Sequence, residues 1–393
     1  MTTKTDRPVR RSRDRKAQIL TAALECFHRS GYHATGMEDI AAAVGITAGG
    51  LYRHFRGKQE LLRRVMLDGL DLLAAAMEEA HGLDDLLRAT ARFTLDHRPL
   101  PLLLDRETRN LDDEARDRVL RHHDAHADTI AAAIRESRPE LDEDQALLLA
   151  WCALGVLVSP SYHHRDLPRP RFEDVLCTQA SAVCRSHAVP SGAADETPRR
   201  PGIGLTPASR REALLAAAIP LFKARGFQVV SMEEIGAAAG IAGPSIYNHF
   251  SSKAEILAAA LHRESEVLHF SLARELTESH TPAEALHRVL RIYAALCGTR
   301  ISAMPLMVGE LVHLSAEQRQ SAFQSQVAFL AECLSLLRAC RPELDEDEGR
   351  VMLGSVLTMV LILYRLPSSV RRLATPTVVA AVAMDSLGIG DAV

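Results

Sequence analysis

Two ten-residue segments of the chain, GGLYRHFRGK at 49–58 and PSIYNHFSSK at 244–253, repeat a cluster of polar and aromatic side chains. In each segment a tyrosine is followed two places later by a histidine and six places later by a lysine. The phenol hydroxyl, the imidazole and the ammonium can each donate a hydrogen bond to an anion. The cluster matches no nucleophile–base arrangement, so it indicates binding of phosphate groups rather than catalysis.

The rest of the sequence gives no sign of an enzyme. It contains no glycine-rich phosphate loop, no GxSxG and no HExxH motif. Acidic runs such as DEDE lie where the start of a helix favours carboxylates. We therefore expect no catalytic residue and no cofactor.

A metal site is not indicated either. His122 and His126 stand four residues apart, a spacing that can share a metal ion on a helix. No such pair recurs further along the chain, and the segment RHHDAHAD is otherwise polar, so a solvated helix face is the better interpretation. The seven cysteines include no CxxC pair, which indicates neither a zinc site nor a disulfide framework and fits a reducing cytoplasm.

The whole chain of 393 residues is an internal duplication. Residues 17–62 superpose on 212–257 at an offset of 195, with 18 of 46 positions identical. Further along, SRPELDEDQ at 137–145 answers CRPELDEDE at 340–348 at an offset of 203. Because the order is kept, a unit of roughly 180 residues occurs twice, as two tandem domains rather than as a solenoid.

Composition and charge divide the chain further. The first sixteen residues carry seven Lys/Arg against two Asp, although the net charge of the chain is −4. Residues 186–207 are rich in Pro, Gly, Ser and charge, as a linker is. The boundaries that we predict run in chain order: a basic disordered arm (1–12), a first head (13–62), a first helical domain (63–187), a linker (188–206), a second head (207–257) and a second helical domain (258–393).

The composition favours an all-α fold, because Ala and Leu are abundant and β-branched runs are few. Within the first head, two short helices near 37–44 and 48–54 flank Gly45, a glycine that permits a positive φ. Thr47 can cap the second helix by accepting a backbone N–H. This is the pattern of a helix-turn-helix, in which the second helix enters the major groove of DNA.

The heads resemble the amino-terminal DNA-binding domain of the TetR family of transcriptional regulators over about 13–62 and 208–257. The resemblance rests on SGYHAT or RGFQVV, on M-E-x-I, on GIT or GIA, on LYRHF or IYNHF, and on the following GK or SK. It implies two TetR-like units, each a three-helix DNA-binding head followed by a helical domain that binds a ligand and dimerises. The second part of each unit matches by architecture alone.

The predicted DNA-contacting residues fall into two groups. Phosphate contacts are assigned to Tyr52, His54 and Lys58 and to the matching Tyr247, His249 and Lys253. Base reading is assigned to Thr47, Gly49, Gly50 and Arg53 in the first copy and to Gly243, Ser245 and Asn248 in the second. Arg53 suits guanine and Asn248 suits adenine, whereas Phe55 and Phe250 are expected in the core.

The second head departs from the first in its local chemistry. Ala242 offers no oxygen where Thr47 can cap, although Pro244 presets φ in the first turn. Pro220 lies inside a predicted helix, which it should kink or deprive of a hydrogen bond. Ser231 with Glu234 forms a capping box that the first copy lacks. The retained tyrosine, histidine and lysine favour DNA binding by this head too.

The resemblance implies that the helical domains dimerise and hold a small effector, and the candidate pocket residues suggest an apolar one, such as a lipid or acyl compound. Apolar helices at 142–158, 171–186, 345–365 and 375–387 could form a four-helix interface within one chain, a pseudo-dimer. A homodimer of tandem chains is the competing arrangement. Pocket candidates are the aromatic, histidine, methionine and aliphatic residues of the middle helices: Phe93, His97, Leu103, His123, His126, Ile130, Trp151, Tyr293, Met304, Met307, Phe323 and Met352.

We therefore predict a sequence-specific, ligand-responsive DNA-binding regulator, a repressor by family analogy, whose partner is a double-stranded operator. The alternatives are a non-specific architectural DNA-binding protein and a regulator whose second unit is only a structural partner. The longest apolar runs are about thirteen residues, short of the roughly 20 that span a bilayer, so a cytoplasmic protein without membrane contact is expected.

Overall fold

The computed structural model describes residues 7–163, 165–189, 207–299, 301–363, 366 and 368–390. Within these residues the regular structure is helical, with no strand. The chain forms two compact bodies. The first body comprises the residues up to Ala80 together with Phe93–His126, and the second comprises His81–Arg92 and the residues from Ala127 onward.

Nineteen α-helices lie in the described part of the chain. Those of the first copy are α1 (Arg7–Ala34), α2 (Met37–Ala43), α3 (Ala48–Tyr52), α4 (Lys58–Glu78), α5 (Leu83–Asp96), α6 (Pro99–Glu107), α7 (Asp113–Ser137), α8 (Glu143–Val158) and α9 (Arg169–Arg185). Those of the second copy are α10 (Arg210–Arg225), α11 (Met232–Ala238), α12 (Gly243–Ile246), α13 (Lys253–Glu278), α14 (Pro282–Cys297), α15 (Met304–Glu310), α16 (Ala316–Cys340), α17 (Glu346–Ile362), α18 (Ser368–Arg371) and α19 (Pro376–Ser386).

The first helix begins earlier than the sequence suggested. It starts at Arg7, so the prediction of a disordered arm over 1–12 is wrong for residues 7–12. Arginine has a high helix propensity, and Pro8 falls in the first turn, where a proline is tolerated. Residues 1–6 of the arm and residues 190–206 of the linker lie outside the described residues.

The first head is a three-helix unit closed by α4. Its buried cluster includes Phe27 from α1, Ile40 from α2, Leu51 from α3 and Leu61 from α4. The helical φ/ψ of α1 is interrupted at Gly31, whose φ is 79°. The second head repeats this arrangement with a buried cluster from α10, α11, α12 and α13.

The turn between the two short helices has the chemistry that the sequence predicts. Gly45 has a φ of 67° and Gly240 a φ of 68°, in the left-handed region that favours glycine. The side-chain oxygen of Thr47 accepts the backbone N–H of Gly50 at 3.1 Å, as a cap does. Ala242 makes no such bond at the start of α12.

The second short helix is shorter than the predicted 48–54. It ends at Tyr52, because the backbone N–H of His54 bonds to the carbonyl of Leu51 in a tight turn, 2.9 Å away. In the second copy, the N–H of His249 bonds to the carbonyl of Ile246 at the same distance, 2.9 Å. In both heads, the last residues predicted for this second short helix therefore lie on a turn and not on the helix.

Two further local predictions concern the second head. Ser231 and Glu234 form the predicted capping box: the serine hydroxyl accepts the N–H of Glu234 at 3.1 Å, and the glutamate accepts the N–H of Ser231 at 2.8 Å. The first copy has half of it, since Asp39 accepts the N–H of Gly36 at 2.7 Å. α10 continues through Pro220, so the proline removes a hydrogen bond without ending the helix.

Within the second body, α8 and α9 of the first copy pack against α17 and α19 of the second. These are the four apolar helices that the sequence offers for an interface. The backbones of α8 and α17 come very close, because a Cβ added to Gly155 would lie 2.7 Å from the Cα of Met359. A buried hydrogen bond of 2.8 Å joins the hydroxyls of Ser159 and Ser355.

Among the described residues, one helical stretch is long and apolar enough to cross a bilayer by composition. It spans Glu143–Ser161, and 78% of its most apolar window is buried inside the protein. The apolar side chains of α8 are thus accounted for by packing within the second body.

Replacing Gly155 by alanine should loosen the contact between α8 and α17. The added methyl group meets the backbone of α17, so we expect overpacking to lower the free energy of unfolding of the second body by about 1–3 kcal/mol. Thermal unfolding of the whole chain, with amide hydrogen exchange of α8 and α17, measures the effect.

The matched control is Gly298→Ala, because a Cβ at Gly298 would lie 3.4 Å from the carbonyl of Ala294 at an exposed helix end. Equal exchange rates for α8 and α17 in both variants would contradict the close approach of the two helices.

Candidate nucleic-acid interface

The two helix-turn-helix segments expose the same positions. The side chain of Tyr52 is 52% exposed and that of Tyr247 is 53% exposed, which is high for tyrosine in a folded protein. Their neighbours Leu51 and Ile246 are fully buried. Each segment therefore presents its tyrosine to solvent while its aliphatic neighbour anchors the segment in the core.

The predicted base-reading and phosphate residues lie along this surface. Those that the structure leaves exposed are Thr47, Gly49, Tyr52, Arg53, Tyr247 and Asn248. Those that are half-buried are Gly50, His54, Lys58, Ser245, His249 and Lys253. Gly243 begins α12. As predicted, Phe55 and Phe250 belong to the buried clusters of their heads.

The second copy differs at its tyrosine. The hydroxyl of Tyr247 donates to the carboxylate of Glu233 across 3.4 Å, at the long end of hydrogen-bond distances. A phosphate that accepted this hydroxyl would have to replace the carboxylate and approach its negative charge. The tyrosine is thus less ready for an anion than its exposure alone indicates.

The ammonium groups of the two lysines make contacts within the heads that the sequence did not predict. The ammonium of Lys58 donates to the carbonyls of Tyr32 at 2.7 Å and Thr35 at 2.9 Å, and it lies 4.4 Å from the centroid of the Tyr32 ring. Burial lowers the pKa of Lys58, while the charge of Glu107 opposes that shift. The ammonium is therefore engaged at the carbonyl end of α1 instead of being available to a phosphate.

Lys253 makes the equivalent contacts in the second head. Its ammonium donates to the carbonyls of Phe227 at 2.7 Å and Gln228 at 3.0 Å, and it lies 4.9 Å from the centroid of the Phe227 ring. Burial again lowers the pKa of the lysine. α4 and α13 begin at these lysines, and in the second copy the hydroxyl of Ser252 accepts the first-turn N–H of Glu255 at 3.2 Å.

A second contact with the same end of α1 was missed from the sequence. Buried Arg106 donates to the carbonyls of Phe27 and His28, the latter at 3.0 Å, and Glu107 accepts the N–H of Tyr32 at 3.2 Å. In the second copy, Glu310 lies 3.5 Å from the N–H of Phe227. The repeated glutamate at an offset of 203 was the signal that could have found this contact.

The second copy contains a cavity of about 390 Å³ between α13, α14, α15, α16 and α17. Tyr293, Met304 and Met307, three of the predicted pocket residues, line it. Phe323 is not in the lining and is 56% exposed. Met352 is buried on α17 outside the lining.

The pocket candidates of the first copy are mostly core residues. Phe93, Leu103, Ile130 and Trp151 are buried. The rings of Phe93 and half-buried His97 pack with centroids 4.5 Å apart.

On α7, His123 is half-buried and His126 is buried. The Nε2 atom of His126 has no hydrogen-bond partner among the described residues. Burial, with smaller contributions from His123 and His122, lowers the pKa of His126 to about 4. A neutral imidazole enclosed in this way is a packed side chain and not a solvated helix face.

Replacing His126 by phenylalanine, the residue at the matching position 329, should reduce the acid sensitivity of the first body. Between the ordinary pKa of 6.5 and about 4, the unfolded state holds a proton that the folded state excludes, so stability falls as the pH falls through this window. Between pH 7 and pH 5 the loss is about 2 kcal/mol. Unfolding free energies at pH 7 and pH 5 measure it.

The same replacement at exposed His280 provides the control for adding a phenyl ring. If His126→Phe and the unaltered chain lose equal stability between pH 7 and pH 5, the enclosure of His126 is not responsible for the acid effect.

Replacing Lys58 or Lys253 by methionine should destabilise its own head without changing the number of phosphate contacts. Each change leaves partly buried carbonyl groups without their donor, which costs about 0.5–1.5 kcal/mol. The slope of log affinity for DNA against log salt should stay the same. Hydrogen exchange of the head and salt titrations of DNA binding measure the two effects.

Gln59→Ala, one residue into α4 and exposed, serves as the control for the first head. A slope reduced by about one in Lys58→Met would instead mean that the ammonium neutralises a phosphate in the complex.

Both head segments match a known family model, described as bacterial regulatory proteins, tetR family, over residues 19–65 and 214–260. The HTH-type transcriptional activator FasR of Mycolicibacterium smegmatis is 40% identical over 67 residues, which are 17% of this chain and 31% of that protein. The probable HTH-type transcriptional regulator ArpR of Pseudomonas putida is 32% identical over 145 residues, 35% of this chain and 65% of that protein. The matches thus span about a third to two thirds of these relatives.

Among solved structures, a TetR-family transcriptional regulator from Bordetella parapertussis 12822 aligns with a TM-score of 0.40 and 20% identity. The alignment covers 44% of this chain and 93% of that one. The family model and the relatives agree with the prediction of a DNA-binding transcription regulator rather than an enzyme. Both helix-turn-helix heads match the model of the TetR family of bacterial regulatory proteins, so the chain contains two TetR-like heads in tandem.

Proposed function

We propose that the chain is a sequence-specific, ligand-responsive repressor whose two heads read two different half-sites of one operator. The supporting observation is that the recognition segments expose the same positions but carry different side chains there. Arg53 and Asn248 are both exposed and occupy the same place in the repeat. A shared scaffold with different readers favours an operator without two-fold symmetry.

The chemistry of these two side chains assigns each head a base. An arginine guanidinium forms two hydrogen bonds with the O6 and N7 atoms of guanine, and an asparagine amide pairs in the same way with adenine. The exposed hydroxyls of Tyr52 and Tyr247 suit phosphate contacts, which set the register of a head on the duplex.

We further propose that one chain supplies both heads as an intramolecular pseudo-dimer. The packing of α8 and α9 against α17 and α19 supports this, because each copy contributes two helices to one apolar interface. A homodimer of tandem chains remains the competing assembly. A regulator of this kind acts where the DNA is, so we expect it in the cytoplasm.

The cavity supplies a route for a ligand to affect the second head. Met304 and Met307 of α15 line it, while Leu306 of the same helix belongs to the buried cluster of the head. The N-terminal end of α15 is held by Glu264, which accepts the N–H of Met304 at 3.0 Å. A ligand that displaces α15 therefore acts on the head core, and its preference for one position of α15 shifts DNA affinity.

Two observations support the alternative in which the second unit is only a structural partner. In the second head, Tyr247 bonds to Glu233 and Ala242 leaves α12 without a side-chain cap. Both features fit a second unit that only completes the structure of the first. A non-specific architectural protein is less favoured, since the net charge of −4 provides no general attraction for DNA.

Selection of DNA fragments bound by the whole chain should give a motif with two unlike half-sites. We expect Arg53→Ala to relax base preference in one half-site and Asn248→Ala to relax it in the other. Each loss corresponds to about 1–3 kcal/mol, because one bidentate base contact disappears. Binding to the selected operator and to half-site mutants measures the effect.

Tyr52→Phe is the control, since loss of a phosphate contact weakens binding to all sequences alike. Uniform footprinting coverage would contradict sequence-specific regulation and support the architectural alternative. Unchanged selection by Asn248→Ala would assign the second head a structural role.

A further inference from the structure

The two copies differ in how they fill the space next to the head. In the second copy this space is the cavity between α13 and α16. Its wall includes the rings of Tyr293 and Phe329, which stack with centroids 6.2 Å apart, and the side chains of Leu261 and Leu268. A volume of about 390 Å³ lies within the range of small-molecule sites, roughly 300–1,000 Å³.

Two positions of the first copy that match lining residues hold larger apolar side chains. The helices α4 and α13 begin at equivalent lysines, so Leu70 corresponds to Ser265 at the offset of 195. The helices α7 and α16 have equal lengths, so Val119 corresponds to Ala322 at the offset of 203. Both Ser265 and Ala322 line the cavity.

Leu70 and Val119 are each 1% exposed and belong to the same buried cluster as the core of the first head. Interiors are close-packed, and shortening a buried aliphatic side chain leaves space behind. The leucine-to-serine and valine-to-alanine differences therefore open in the second copy a region that the first copy packs with its own side chains.

The lining also restricts the charge of an occupant. The polar groups come mainly from one face of α16, where the uncharged Gln318, Ser321, Ser325 and Gln326 follow one another at helical spacing. Among the described residues that line the cavity there is neither a lysine nor an arginine; Glu317 contributes a carboxylate and His262 an imidazole. Moving an anion from water into such a site is costly, whereas hydroxyl and carbonyl groups find partners there.

We propose that each chain binds one effector molecule, in the cavity of the second copy alone. The effector is uncharged and largely apolar, with hydroxyl or carbonyl groups for the polar face of α16. The first copy responds to no ligand of its own and serves as the constant partner. This inference rests on the proposed function as a ligand-responsive regulator and specifies the chemistry and the number of its ligands.

The test uses two fluorescent probes that differ by one sulfonate. N-phenyl-1-naphthylamine is uncharged, and 8-anilinonaphthalene-1-sulfonate carries a negative charge on nearly the same rings. With the whole chain we expect one molecule of the uncharged probe per chain, and at least tenfold weaker binding of the sulfonate. Fluorescence titration gives the affinities, and equilibrium dialysis gives the stoichiometry.

The variant Ser265→Leu with Ala322→Val transfers the first-copy residues to the second copy, and it should weaken the uncharged probe at least tenfold. Ala331→Val makes the same alanine change on an exposed position of α16 and should leave binding unchanged. Circular dichroism checks that both variants keep their helix content. The stoichiometry and the sulfonate comparison use the unaltered chain and so do not depend on any variant folding.

Two probe molecules per chain, equal affinity for the sulfonate, or full binding by the filled variant would each overturn the inference. Binding of selected operator DNA, measured without probe, reports on the proposed function separately. A chain that binds its operator but takes up two probes refutes only the single-ligand inference. A chain that binds one probe but no specific DNA refutes only the proposed function.

Discussion

The geometry of both heads depends on a lysine ammonium held against the carbonyl end of the first head helix. These carbonyls belong to residues that follow the glycines Gly31 and Gly226, where the helical φ/ψ of the first head helix ends. Lys58 and Lys253 satisfy them from the first residue of the next long helix, so the two helices are joined at a fixed point. The exposed tyrosines and their neighbours are presented on the short segment that this joint closes.

The ends of the first head helices are also contacted by α6 and α15. Arg106 and Glu107 of α6 bond to the end of α1. Glu310 of α15 lies next to the end of α10. A helix end with several donors around it can exchange partners at low cost in free energy, because each carbonyl has two lone pairs. The matched helices α6 and α15 contact this joint in the two copies, but α6 packs on a filled core whereas α15 borders a cavity.

Local sequence chemistry predicted the elements well, and it was less informative about side chains whose roles depend on tertiary contacts. The turn at Gly45, the Thr47 cap and the Ser231–Glu234 box follow from interactions between residues three or four apart, so they could be derived from the sequence. The contacts of Lys58 could not be derived in this way, because the same ammonium group can bind either a phosphate or a backbone carbonyl. The carbonyls that it binds lie 23–26 residues earlier in the chain.

Burial was the other quantity that the sequence left open. A polar segment around His126 indicated a solvated face, yet this residue is buried, and aromatic Phe323 was assigned to a pocket although it is exposed. Helical periodicity tells which residues share a face but not which neighbour covers that face. The exposed tyrosines were predicted because a motif, and not periodicity, singled them out.

The contact between α8 and α17 affects how the two copies meet, because both lie on one polypeptide. When two partners lie on one polypeptide, their encounter is a first-order event, and dilution of the protein does not separate them. Repressors that assemble from separate subunits lose their paired form at low copy number, whereas a tethered pair keeps it in a cell that holds only a few molecules. Tethering also ensures that two unlike copies pair with each other. The hydrogen bond between Ser159 and Ser355 therefore always joins one copy to the other.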